Sequence, residues 1–229
     1  MSAARLLLVH GAFHGPWCWD RLLPELAARD VETTTVELPF TSLEADGETV
    51  AAAIEAAGAP VVAVGHSYGG SVITAGAGGG DGRPAAAHLV YLAALVPDPE
   101  HPVDLASTPG MSAISANDDG ESFIDPDKAI AAFYHRCPPG DAKWAVSRLR
   151  PMPFSTLAAS GQPGKVAWRT VPSTYVLCSD DQIIAPDDQR RMAAQAGRRV
   201  DLDADHSPFF SQVEKLADVL ADTARRAGA

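Results

Sequence analysis

The sequence predicts an α/β fold: a mostly parallel central sheet with helices on both faces. Three observations predict it. Short apolar or β-branched runs alternate with helical patterns through the first half of the chain. The same alternation resumes at Thr174. A glycine-flanked serine, Gly65-His66-Ser67-Tyr68-Gly69, falls where one such run passes into a helical pattern. Strands alternating with helices imply parallel strands buried on both faces.

The elements follow in order. Leu6 to Val9 reads as a buried strand, and Trp19 to Ala28 as a helix with Leu22, Leu23 and Leu26 on one face. Thr33 to Val36 is β-branched and reads as a strand. Val50, Ile54 and Ala57 form a helical stripe that stops at Gly58. Val61 to Val64 is a strand, Ser71 to Ala77 a helix, and His88 to Leu92 a fourth strand. From Pro97 to about Gly164 the β-branched runs vanish, and helical patterns at Asp127–His135 and Ala142–Leu149 predict a short, mainly helical insertion. Thr174 to Cys178 resumes the strands. Pro186 suits a first helical turn and Gly197 a helix end. Arg199 to Leu202 is a short strand, and Ser211 with Glu214 predicts a capping box for a last helix carrying Leu216, Ala217 and Leu220.

The 229 residues fit one domain, 1–229, with 97–164 as an insertion that could cover a site. The net charge of −11 argues against nucleic acid and anionic membranes as partners, because both call for basic patches. Three scattered cysteines, Cys18, Cys137 and Cys178, make neither a disulfide framework nor a zinc pattern. Only four apolar residues follow Arg5, against the ~7–15 of a secretory segment, so a cytoplasmic location is expected. No apolar run approaches the ~20 residues of a membrane span.

The chemistry centres on Ser67. In G-x-S-x-G between a strand and a helix, a sharp turn lifts the serine hydroxyl above the sheet, beside a helix N-terminus that favours negative charge. A serine hydroxyl needs a base, and the base needs an orienting carboxylate. His206, in Asp205-His206-Ser207-Pro208, lies between the last strand and the last helix. The acid is expected on the loop Cys178-Ser179-Asp180-Asp181, where either aspartate could serve. Two backbone donors are expected to hold the developing oxyanion: Tyr68, after the serine, and Ala12, on the loop after the first strand. Phe13 and Trp144 are expected to line an apolar substrate pocket, with neither metal nor organic cofactor required.

These residues resemble a known group. Val9-His10-Gly11-Ala12-Phe13-His14-Gly15-Pro16-Trp17-Cys18-Trp19 is similar to the H-G-A-x-H-G-x-W-x-W opening of the methylesterase and hydroxynitrile lyase branch of the α/β-hydrolases, an opening that bacterial carboxylesterases share. Gly65 to Gly70 fits that group's G-H-S-x-G-G, His206-Ser207-Pro208 its H-S-P, and Arg148 to Pro153 resembles the end of its cap. Tyr175 to Pro186 resembles its C-x-x-D-x-x-x-x-P acid loop, and this resemblance points to Asp181 over Asp180. It implies an α/β-hydrolase fold and a serine hydrolase acting on a small, apolar carboxylic ester. Hydroxynitrile lyases of the group carry threonine at Gly11 and lysine at Ser207, so their absence favours hydrolysis. Leu38 to Ser42 replaces the group's glycine-rich turn after the second strand. The same triad on a thioester, lactone or amide, or a non-enzymatic ligand-binding role, is the alternative, since fold does not set substrate.

Overall fold

A computed structural model describes residues 3–80, 82–98, 100, 108–162, 164 and 166–228. The central sheet is parallel throughout and runs in the order β2 (Thr33–Val36), β1 (Arg5–Val9), β3 (Val61–His66), β4 (His88–Leu92), β8 (Ser173–Cys178), β9 (Arg198–Leu202). The register sets Val9 beside Gly65, and His66 beside Leu92. Every residue of β3 and β8 is buried, which is why these strands read as unbroken apolar runs rather than alternating ones. Helix α1 (Leu22–Ala27) packs with α9 (Val213–Ala227), and α2 (Leu43–Ala57) with α3 (Tyr68–Gly76). These pairs, with α7 (Pro186–Ala193) against β8, cover the sheet.

Chain order reverses between β1 and β3: β2 lies outside β1, while β4, β8 and β9 extend the other way. In open α/β sheets ligands bind at the carboxyl ends of strands at such a switch point. The loops after β1, β3, β8 and β9 carry His10–Gly15, Ser67, Asp181 and His206, so the topology gathers the candidate chemistry on one edge.

Between β4 and β8 the chain forms α4 (Pro126–Phe133), α5 (Pro139–Val146) and α6 (Phe154–Ala158). It also forms a small antiparallel sheet of β5 (Ile114–Ala116), β6 (Glu121–Ile124) and β7 (Met152–Pro153). The sequence predicts a mainly helical insertion and gives no sign of that sheet. Strands of three, four and two residues are too short for a period-2 pattern to register, and none has a β-branched run. Pro97 lies among the described residues, whereas 101–107 of the insertion lie outside them.

Two local expectations are corrected. No capping box forms at the last helix: Ser211 belongs to α8 (Pro208–Ser211), and its hydroxyl donates to Asp205 Oδ1 at 2.7 Å. Gln212 is the N-cap of α9, without a side-chain cap bond. Gly197 does not end α7, whose C-cap is Ala194; it stands in the turn before β9. All three cysteines are free and buried. Among the described residues, no helix is long and apolar enough to cross a membrane.

Candidate active site

Ser67 joins β3 to α3 with φ 53° and ψ −120°, a backbone state that L-residues rarely adopt. Its amide donates to Leu92 O at 3.2 Å, and its carbonyl accepts from Gly70 and Leu95 amides at 3.0 and 3.1 Å. The turn is possible because of what flanks it. A Cβ on Gly65 would stand 2.4 Å from Gly69 O, and one on Gly69 would stand 2.6 Å from Val9 O. At Gly11 a Cβ would come within 2.9 Å of Ser67 Cβ. Side chains at these positions would force the backbones of the β1 loop, the serine turn and α3 apart.

The histidine and one aspartate meet directly. His206 Nδ1 and Asp181 Oδ2 are 2.7 Å apart, with both side chains fully buried. A carboxylate can only accept, so Nδ1 carries the proton and Nε2 presents a lone pair. Nε2 has no hydrogen-bond partner among the described residues. Asp181 is itself held tightly. Its Oδ1 accepts from Ile183 and Ile184 amides at 2.7 and 3.0 Å, and Oδ2 accepts from Gln189 Nε2 at 2.8 Å. Asp180 points elsewhere. Its side chain is 46% exposed and lies 3.2 Å from His135 Nε2 and 3.6 Å from Arg136. The pairing with His206 therefore goes to Asp181.

A cluster of histidines surrounds His206. The His66 ring stacks obliquely on it at 4.7 Å, and His66 Nε2–H donates to the His206 carbonyl at 2.8 Å. His14 Nδ1–H donates to Ala12 O at 2.7 Å, and its Nε2 lies 2.7 Å from the Tyr134 hydroxyl of the insertion. Burial depresses these imidazoles: His14 to about 4, His10 to about 3, and His66 well below the ordinary value. They sit neutral at pH 7, acting as hydrogen-bonding wedges rather than charges.

Ala12, Phe13, Ser67 and Tyr68 share the wall of one cavity of about 230 Å³. The insertion supplies Met111, Ile114, Phe133, Phe154, Leu157 and Ser160, and the acid loop Ile183 and Ile184. Among the described residues, no charged side chain lines it. Tyr68 is the first residue of α3, where helix amides have no acceptor within the helix. Phe13, with φ 65°, turns the chain directly after Ala12. Trp144 does not line this cavity, contrary to the sequence expectation. It faces a separate surface cleft with Asp20, Arg21 and Asp141, packed edge-on against Trp17 and under the Arg148 guanidinium. The scattered aromatics of the insertion divide between the cavity wall and its outer packing, and only the tertiary structure sorts them.

Three contributors escaped the sequence reading. Gln189, one helical turn into α7, reaches back to Asp181. Asp205 is fully buried and accepts from the Arg136 amide at 2.9 Å and from Ser211, fastening the insertion beside His206. Asp46 binds Tyr68 from α2. Asp205 adjoins His206 in the chain and could have been suspected; Gln189 and Asp46 carry no local signal.

With this geometry in place, comparison with known proteins is informative. Residues 6–219 match the alpha/beta hydrolase family, and the chain belongs to it. The alpha/beta hydrolase nvfD of Aspergillus novofumigatus is 28% identical, over 99% of this chain and 99% of its own. Methylesterase 7 of Arabidopsis thaliana is 26% identical, over 96% of each. Among solved structures, a pyrethroid hydrolase from Sphingobium faniae JZ-2 superposes with a TM-score of 0.82 at 24% identity, covering 96% of this chain and 97% of its own. The protein is an α/β-hydrolase enzyme of the methylesterase-like branch.

Proposed function

We propose that this protein is a serine hydrolase that cleaves a small, apolar carboxylic ester, with Ser67 as nucleophile, His206 as base and Asp181 as the group that orients it. The observation that carries the reading is the buried 2.7 Å bond between His206 and Asp181, which leaves Nε2 as an acceptor on a residue bonded through its carbonyl to His66, the neighbour of the strained Ser67. Relatives named as methylesterases support an ester as the bond broken.

The chemistry follows from the residues. Ser67 Oγ attacks the ester carbonyl carbon while its proton passes to His206 Nε2. The carbonyl oxygen becomes an oxyanion, stabilised by the amides of Ala12 and Tyr68. Collapse breaks the bond to the alcohol oxygen, which takes the proton from His206 and leaves as the alcohol. Water, deprotonated by the same nitrogen, then attacks the acyl-serine and releases the acid. Asp181 keeps Nδ1 protonated and stabilises the imidazolium formed in each half. A cavity whose described lining is uncharged suits an uncharged substrate, because an ionised group there would lose its hydration without a counter-charge from those residues. Residues 97–164 act in this reading as a cap on a single catalytic domain, with Met111, Ile114, Phe154 and Leu157 closing the cavity over Ser67.

The test is hydrolysis of p-nitrophenyl acetate and butyrate by the wild type and by Ser67→Ala. The wild type should turn over and the variant should lose at least ~10³-fold in kcat while staying folded. Equal rates for the two, or a folded but inert wild type, would sink the reading.

A further inference from the structure

The oxyanion flank of the cavity contains a buried carboxylate that the triad does not use. Asp46, in the first turn of α2, is fully shielded from solvent. Its Oδ2 accepts from the Tyr68 hydroxyl at 2.6 Å and its Oδ1 from the Phe40 amide at 2.9 Å. Both partners are neutral donors. Desolvation pushes the Asp46 carboxyl upward, and the two hydrogen bonds oppose that rise. An apolar residue would fill the same space without a desolvation cost, so what the carboxyl adds is a rigid link between two segments.

Those two segments bear on the oxyanion site. Tyr68 opens α3 and supplies one of the two proposed amide donors. Phe40, held at φ 58°, belongs to the loop after β2. That loop also grips the segment carrying the other donor, Ala12. The Leu38 amide donates to His10 Nε2 at 3.2 Å, and His10 Nδ1–H donates to Gly11 O at 2.9 Å. The Phe40 ring meets the His10 ring edge-on at 5.5 Å and the Tyr68 ring at 6.0 Å. Arg150, between α5 and β7 of the insertion, clamps the arrangement: its guanidinium lies over Phe40 at 4.4 Å and donates to Leu38 O and His14 O at 2.9 and 3.1 Å. Residues 38–40 thus bridge the two donor-bearing segments, and Asp46 ties that bridge to Tyr68.

We propose that Asp46 is a positioning residue for the oxyanion site, holding Tyr68 against the 38–40 loop so that the Tyr68 and Ala12 amides keep a fixed spacing. The inference rests on the serine hydrolase reading above. Backbone donors act only where the oxyanion forms, and misplacement by about 1 Å can cost up to ~10²-fold. Loosening the brace therefore lowers kcat and leaves ground-state binding almost untouched.

The experiment compares Asp46→Ala, Asp46→Asn, Tyr68→Phe and the Asp46→Ala/Tyr68→Phe double variant on p-nitrophenyl butyrate. Binding of an alkyl trifluoromethyl ketone, to which Ser67 adds to form an oxyanion, is measured beside binding of the corresponding alcohol, which forms none. Asp46→Ala and Tyr68→Phe should each lower kcat about 10-fold with KM within about 2-fold. Ketone affinity should fall in step with kcat, while alcohol affinity holds. The double variant should match the singles, and Asp46→Asn, which keeps an acceptor oxygen, should recover part of the loss. Unchanged kcat in Tyr68→Phe overturns the proposal, and so does an equal weakening of ketone and alcohol. Should Asp46→Ala not fold, Tyr68→Phe removes the same bond from the other side and decides the matter alone. An inactive Ser67→Ala beside a fully active Tyr68→Phe sinks the brace only, whereas an active Ser67→Ala sinks the underlying reading.

Discussion

On one flank of Ser67, the groups proposed to move the proton touch each other. His206 binds Asp181, and Asp181 is saturated by two amides and Gln189, all within the loops after β8 and β9 and the first turns of α7. On the other flank, the proposed oxyanion donors are backbone amides on separate segments, held indirectly by the 38–40 loop, Asp46, His10 and Arg150. The difference reflects what each task needs. A proton relay requires side chains of set identity in direct contact. An oxyanion site requires only that two amides stay at the right spacing, so its supports are spread through the packing.

The acid–base flank should therefore fail steeply and locally. Asp181→Asn should lower kcat by about 10³–10⁴-fold, since an amide no longer holds the required tautomer. Asp180→Asn, altering an exposed carboxylate paired with His135 and Arg136, should stay within about 2-fold. Comparable losses in kcat/KM would erase the distinction between the two aspartates. Gln189→Ala comes next. It removes one of four donors to Asp181 and the acceptor of the Cys178 amide, so activity should fall about 10-fold and Tm should drop with it. A variant unchanged in both would mean that the two loop amides suffice.

The oxyanion flank should show itself most gently, in the pH dependence of stability. His14 and His10 have folded-state pKa values of about 4 and about 3, below the ~6.5 of an unfolded histidine. As pH falls, the unfolded chain takes up these protons first. Stability is then full above pH ~6.5 and is lost as pH falls through the depressed folded values. Calorimetric Tm should be flat from pH 7 to 9 and decline from ~6.5 toward 4, and His14→Gln should make that decline shallower. An unaltered slope in His14→Gln would remove this imidazole as a source of acid sensitivity.

Legibility in the sequence followed the range of the interactions. The strands of the central sheet stood out because strands buried on both faces must be continuous apolar runs, as Val61–Val64 and Thr174–Cys178 are. The Gly65–Gly69 turn was readable because its geometry needs particular residues at particular positions within five places. The β5–β6–β7 sheet was not readable, since two- to four-residue strands are specified by the neighbours they pair with. Trp144 was misplaced because an aromatic residue in a helix says nothing about which surface it will face.

By itself, the sequence determined the order of the strands of the central sheet and the helices between them, the parallel class of that sheet and the position of Ser67 on a strained strand-to-helix turn. Each of these is a local consequence of periodicity or of backbone sterics. The loop residues by themselves left Asp180 and Asp181 open and the family resemblance pointed to Asp181, which the structure brings to His206; tertiary structure alone decided that Gln189 completes that carboxylate's shell and that Asp46 reaches Tyr68 across 22 positions of chain. Adjacent side chains on one loop point in different directions, and a buried carboxylate is recognised by the donors around it. Both depend on contacts that exist only once distant segments have packed.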